Sequence, residues 1–216
     1  MPMDYKRLYE FRFRDVNQFE RSAVWAAIAD DLFVRMGRPK VVLDPACGRG
    51  EFISAVPAEE RWAIDQVLSV ADLEPLGIRT IVSDLLDVDL PPGHFDGVLL
   101  SNTLEHLKTF EDVQRCLIKM RRAMRPNGVI AVLGPNFKYC ANEYFDCADH
   151  VLALTHISVQ EHLYTAGFEI QAVTPRYLPY SFRGWLPPSE RLTRLYLRNP
   201  WAFPFIGKQF LVVASV

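Results

Sequence analysis

Val41-Val42-Leu43-Asp44-Pro45-Ala46-Cys47-Gly48-Arg49-Gly50-Glu51-Phe52 is the stretch that decides the fold. A short β-branched run ends in an acid and then turns through two glycines one residue apart. Glycine reaches backbone angles that other residues avoid, and it lets the main chain come close to a ligand. A carboxylate at the end of a strand, beside such a turn, can accept hydrogen bonds from a cationic or hydroxyl-rich molecule.

On both sides of this stretch the pattern alternates between strand and helix. Strands are expected at 40–44, 61–65, 78–83, 95–101, 129–133, 168–173 and 209–216. A helix is expected over 17–36, where Phe19, Val24, Ile28, Leu32 and Phe33 recur at helical spacing before Gly37 and Pro39. A second runs over 109–124, with Phe110, Val113, Leu117, Ile118 and Met120 apolar, and Arg125-Pro126-Asn127-Gly128 breaks it. A third is capped by Ser158 and closed by Gly167. Pro57 leaves room only for a short helix between 50 and 61, and the helical signal over 66–77 is weak, with Pro75 and Gly77 near its end. Strands separated by helices imply an α/β fold, with a mainly parallel sheet covered on both faces.

The 216 residues suit one domain. We divide it into a helical arm (1–37), a core (38–175), an insertion (176–208) and a last strand (209–216). Within the arm, 5–13 mixes aromatics with arginines, as a short lid would. Half the residues are apolar, as in a globular protein. A net charge of -2 gives no basic field for nucleic acid. Cys47, Cys116, Cys140 and Cys147 form no disulfide pattern, and the sequence shows neither an apolar signal region nor a spanning run, so a cytoplasmic protein is expected.

Asp44-x-x-Cys47-Gly48-x-Gly50 is followed in order by Asp65, Asp84, Phe95-Asp96-Gly97-Val98-Leu99-Leu100-Ser101-Asn102 and Arg125-Pro126-Asn127-Gly128-Val129. This order resembles the class I S-adenosylmethionine-dependent methyltransferases, over roughly residues 38 to 175. The resemblance implies a Rossmann-like sheet of seven strands, mostly parallel, with helices on both faces and the last strand antiparallel. It also implies S-adenosyl-L-methionine as cofactor, with S-adenosyl-L-homocysteine as product. By the same resemblance Asp44, Ala46, Cys47, Gly48 and Gly50 surround the methionine end. Asp65, with Gln66 beside it, holds the ribose hydroxyls. Asp84 accepts from the adenine amino group, Leu85 offers the next backbone amide, and Asn102 and Thr103 lie at the cofactor's edge. A nicotinamide dehydrogenase also carries an acid about 20 residues after its glycine turn. Here the third glycine of that fingerprint is replaced by Ile53, and Asp44 would face a diphosphate.

Methyl transfer to oxygen needs alignment and, usually, a base. Histidine titrates near neutrality. The stretch 145–155, with Gly134-Pro135-Asn136 before it and 158–168 after it, resembles a bacterial subgroup that accompanies glycan or secondary-metabolite assembly. In that subgroup the segment forms part of the acceptor pocket. His150 is therefore the expected general base, oriented by Asp149, and His106 is second. His156 and His162 are expected as cap and surface residues. Cys140, Cys147 and His150, with Asp146 and Asp149 between them, match no zinc spacing, so no metal is expected. Residues 177–208 hold five prolines' worth of breaks among aromatics and arginines: Pro179, Pro187, Pro188, Pro200 and Pro204, with Trp185, Trp201, Arg183, Arg191, Arg194, Arg198 and Lys208. Such a segment can cover an acceptor pocket, make a dimer contact, rest on a membrane surface, or simply pack on itself.

The sequence thus points to O-methylation of a small molecule such as a sugar or glycan precursor, with a sugar nucleotide or lipid-linked glycan as candidate acceptor. It points to a monomer or homodimer and to no nucleic-acid partner. Ser101-Asn102-Thr103-Leu104 replaces the Asn/Asp-Pro-Pro-Tyr of many amino-methylating enzymes. The alternative is a non-catalytic protein that keeps the fold.

Overall fold

The computed structural model describes residues 4–66, 73–181 and 188–216. The seven strands are β1 Val41–Asp44, β2 Glu60–Asp65, β3 Arg79–Val82, β4 Phe95–Ser101, β5 Met124–Pro135, β6 Glu169–Thr174 and β7 Gln209–Ser215. They form one sheet in the order β3-β2-β1-β4-β5-β7-β6. The first five pair in parallel, and β7 runs antiparallel to both β5 and β6. This is the expected sheet, antiparallel last strand included. β1 is buried along its whole length, which is why its sequence is apolar up to Asp44.

Helices cover both faces. On one side lie α2 (Gln18–Arg35) and α3 (Glu51–Ala55), and α1 (Tyr5–Arg12) precedes them. The Asn17 side chain accepts from the amides of Phe19 and Glu20 and so starts α2, whose Val24, Ala27, Ile28, Leu32 and Phe33 are buried. On the other side lie α4 (Phe110–Ala123) and α6 (His156–Thr165). Thr109 caps α4, and Val113, Cys116, Leu117, Met120 and Ala123 form its buried stripe. The helix α5 (Phe137–Tyr144) follows β5, while α7 (Glu190–Leu197) and α8 (Phe203–Ile206) precede β7. Among the described residues, no helix is long and apolar enough to cross a membrane.

The structure corrects several local expectations. β5 begins at Met124 instead of 129, because the chain resumes pairing with Phe95 before the turn residues. The expected break survives as a register shift between Phe95 and Gly97, with Asn127 in the left-handed region at φ 64°. Ser158 does not cap α6. Thr155 is the cap, and Ser158, three residues on, bonds back to it in a reciprocal capping box. The weak helical segment at 66–77 holds a 3-10 turn at Glu74–Leu76, and its residues 67–72 lie outside the described residues.

Between 176 and 208, α7 packs on α2 and not over a cavity. Arg194 pairs with Asp30 at 2.7 Å, and the Tyr196 hydroxyl donates to the Tyr177 carbonyl at 2.6 Å. Leu197 and Phe203 join the same apolar cluster as Ile28 and Leu32. Arg183, Trp185 and Pro187 of that segment lie outside the described residues.

Candidate active site

Strand order reverses between β1 and β4, and in open α/β sheets ligands lie beyond the carboxyl ends of the strands at that switch point. There the loop after β1 turns tightly. Gly48 and Gly50 both lie in the left-handed region, at φ 56° and 74°. A Cβ on Gly50 would also stand 2.8 Å from two methyl carbons of Leu73, which would have to shift, while the positive φ is what favours glycine here. The Cys47 amide donates to the Ile64 carbonyl, and the Gly48 amide donates to Asp65 Oδ2 at 2.8 Å. The two strand ends are thereby locked together.

Asp44 is buried at the centre of this loop and accepts from the Ala46 amide. Burial, and then the charges of Asp65 and Glu51, raise its carboxyl well above the usual range. Two clustered carboxylates beside a close-approach turn suit a cationic partner. Burial also pushes the Cys47 thiol up, so Cys47 is a small packing residue and not a nucleophile.

Two cavities open at this end of the sheet. The smaller, 360 Å³, is lined by Ala46, Asp65, Gln66, Asp84, Leu85, Asn102 and Thr103, together with Tyr9, Lys108, Arg115 and Asp149. Seven of the residues expected at the cofactor thus share one wall. Asp44, Cys47, Gly48 and Gly50 shape the loop behind it. Asp84 keeps one oxygen occupied by the Leu86 amide at 2.8 Å.

The larger cavity, 530 Å³, lies between α1–α2 and the loops after β4 and β5. Its wall includes Arg12, Phe13, Arg21, Trp25, Cys147, His150, Tyr180 and Gln209. Asn102 and His106 line both cavities.

The histidines differ from expectation. Asp149 does not orient His150. Its carboxylate pairs with Arg12 and stands 3.4 Å from His106 Nδ1, which also lies 2.9 Å from the Asp149 carbonyl. Burial works to raise Asp149, but the Arg12 hydrogen bond and the charges of His106 and Arg12 hold it below its ordinary range. His150 packs edge-on against His106 and Tyr144. Burial, then the neighbouring His106, push it down to about 4, so it is neutral at pH 7 and a weak base. His156 is buried, accepting from the Asn136 side-chain amide at 2.9 Å, and His162 meets Gln114 at 2.7 Å. The cysteines of 140–147 do not converge, since Cys140 donates to the Asn136 carbonyl and Cys147 lies 3.7 Å from the Tyr180 hydroxyl.

Two participants went unforeseen. Arg12 crosses from α1 to the 147–150 loop. Nothing local to its arginine- and aromatic-rich arm names that partner. Glu105 is fully buried beside His106, and burial raises its carboxyl. An acid inside the apolar run Leu104-Glu105-His106-Leu107 was the available signal.

A doubly covered sheet with an antiparallel last strand, and a ligand loop at the switch point, define the class I methyltransferase fold. Residues 43–132 match the family model described as a methyltransferase domain. No curated protein sequence matches the chain at a significant level. Among solved structures, an S-adenosylmethionine-dependent methyltransferase from Archaeoglobus fulgidus is similar over 99% of this chain and 100% of its own, at 20% identity and a TM-score of 0.68. The 1,6-didemethyltoxoflavin-N1-methyltransferase of Burkholderia thailandensis, solved with S-adenosylhomocysteine, aligns over 100% and 91%, at 19% identity and a TM-score of 0.62. The cyclase SpnF aligns over 88% and 80%, at 15% identity and a TM-score of 0.63. Fold and family match agree with the resemblance seen in the sequence.

Proposed function

We propose that this chain transfers the methyl group of S-adenosyl-L-methionine to an oxygen of a small molecule. The observation that carries the reading is the meeting of the two cavities at Asn102 and His106. The smaller cavity suits the nucleoside. Asp65 and Asp84 line it, and their carboxylates can accept from ribose hydroxyls or an exocyclic amine, which supports those roles. The buried Asp44 suits the cationic methionine end. The cofactor supplies an already activated methyl group, so the chain's task is alignment.

The larger cavity then receives the acceptor. Phe13, Trp25 and Tyr180 offer faces for a ring, and sugars and glycan precursors are the first acceptor class to assay. The proton-accepting role passes from His150 to His106. Its Nδ1 is fixed by the Asp149 carbonyl, which leaves Nε2 to take the acceptor's proton.

Calorimetry with S-adenosylmethionine and S-adenosylhomocysteine tests the first half, and labelled methyl transfer to a panel of hydroxylated acceptors tests the second. Binding of both cofactor forms with turnover of at least one acceptor is expected. Binding without any turnover favours a non-methylating protein on this fold, of which SpnF, named as a cyclase, is a precedent. A chain that binds a dinucleotide instead overturns the reading.

A further inference from the structure

Glu105, His106 and His150 each offer one donor atom, and the three atoms lie within 4.8 Å of one another. Two polar atoms of these side chains are buried with no hydrogen-bond partner among the described residues: Glu105 Oε1 and His150 Nδ1. A buried polar atom without a partner is costly, and a carboxylate oxygen most of all. The third atom is prepared as well. His106 Nδ1 lies 2.9 Å from the Asp149 carbonyl and therefore carries the proton. Its Nε2 lies 4.0 Å from Glu105 Oε1.

His150 packs edge-on against His106 and Tyr144, and its Nδ1 is buried without a partner among the described residues. The His106 imidazole is held by a backbone carbonyl on Nδ1, with Nε2 toward Glu105. Ligating histidines in metal centres are oriented in this way, by a carbonyl on the far ring nitrogen.

We propose that Glu105 Oε1, His106 Nε2 and His150 Nδ1 bind a divalent first-row transition-metal ion, which holds and acidifies the acceptor oxygen. Two imidazoles and one carboxylate suit such an ion better than magnesium or calcium, which favour all-oxygen sites. Bond lengths of about 2.0–2.2 Å require the donors to close to about 3.4 Å of one another. Because His106 and His150 also line the larger cavity, the ion's remaining positions face the acceptor.

The inference rests on the acceptor reading above and changes one part of it. With the ion bound, the imidazoles are ligands and proton removal passes to the cation. The bound hydroxyl loses its proton to water in the cavity. The oxygen's electron pair forms the bond to the methyl carbon as the carbon–sulfur bond breaks, and that pair stays on sulfur.

The test uses tag-free, chelator-treated full chain, titrated with Co²⁺ by visible absorption and with Zn²⁺ in competition. S-adenosylhomocysteine calorimetry and far-ultraviolet circular dichroism run in parallel. The wild type should take up one equivalent. Glu105→Gln and His150→Gln should each weaken Co²⁺ binding by about 10- to 100-fold while still binding S-adenosylhomocysteine. Cys147→Ser, which removes the thiol on the same cavity wall, should bind Co²⁺ like the wild type. If burial prevents Glu105→Gln from folding, His150→Gln carries the comparison. A folded wild type that binds S-adenosylhomocysteine but neither ion overturns the proposal, as does equal binding by wild type and a folded His150→Gln. Ion uptake by a chain that ignores S-adenosylhomocysteine keeps the metal site and sinks the methyl-transfer reading instead.

Discussion

The two halves of the site are built in different ways. The side we propose for the nucleoside consists of strand ends and tight turns: Asp44, Gly48, Gly50, Asp65 and Asp84 all end or follow β1, β2 or β3. The acceptor side is assembled from side chains far apart in sequence. Arg12 and Asp149, which join α1 to the loop before α6, are 137 positions apart. Glu105 and His150 meet across β5 and α5. The first half is a property of the fold. The second is a property of this chain, and it can change while the sheet stays the same, as the range of proteins sharing the architecture illustrates.

The strongest test of that division is Asp65→Ala. It removes the carboxylate that both accepts from Gly48 and faces the nucleoside cavity. Loss of a charge-assisted bond should weaken S-adenosylmethionine binding by about 1.5–3 kcal/mol, at least about tenfold in Kd. Calorimetry against the wild type checks this, and an unchanged Kd would place the ribose acceptor elsewhere. The neighbouring Asp44 adds a pH dependence. Its carboxyl is raised by burial and by Asp65, so it takes a proton at a higher pH than an ordinary aspartate. Affinity for the cationic cofactor should therefore fall as the solution is acidified, with a proton released on binding at the lower pH.

The loop after β5 should respond to acid through stability instead. His156 lies under the loop after β5, where its Nδ1 accepts from an Asn136 amide that also donates to the Pro175 carbonyl. Burial, and the charge of Lys138, lower its pKa from 6.5. The unfolded chain then binds more protons than the folded one just below that value. Stability is fully present above pH 6.5 and lost as pH falls through the folded value. His156→Gln should cost about 0.5–1.5 kcal/mol near pH 8, the worth of one hydrogen bond, and flatten the decline toward pH 5. His150 and His162 are lowered too, so the difference between the urea-midpoint curves of wild type and variant is the quantity to read. Parallel curves would show that His156 is not the group responsible.

This contrast also explains what the sequence could reveal. Local turns carry their own chemistry: an acid and two glycines within seven positions specify a strand end and a close approach, whatever the rest of the chain does. The order of the elements followed from periodicity for the same reason. His150 drew attention by type, but its partner was misassigned to the adjacent Asp149. In the fold Asp149 faces Arg12 and His106, and adjacent residues in a loop rarely point the same way. The start of α6 shifted for a similar reason. Thr155 and Ser158 are both good capping residues, and only the reciprocal bond between them decides which one caps.

The smallest expected effect concerns α7, in the segment for which the sequence left a pocket cover, a dimer contact, a membrane contact and self-packing all open. In the fold it leans on α2 through Arg194, which bonds both Asp30 and Glu190. All three side chains are well exposed, so solvent screens their attraction. Arg194→Ala should cost no more than about 1 kcal/mol in urea unfolding, and that cost should shrink at high salt. It should leave both the cofactor Kd and the acceptor KM unchanged, because no residue of α7 lines either cavity. A raised acceptor KM with unchanged stability would reverse the assignment. It would mean that α7 belongs to the acceptor half together with Leu178, Tyr180, Ser181 and Pro188 of the same segment, which line the larger cavity.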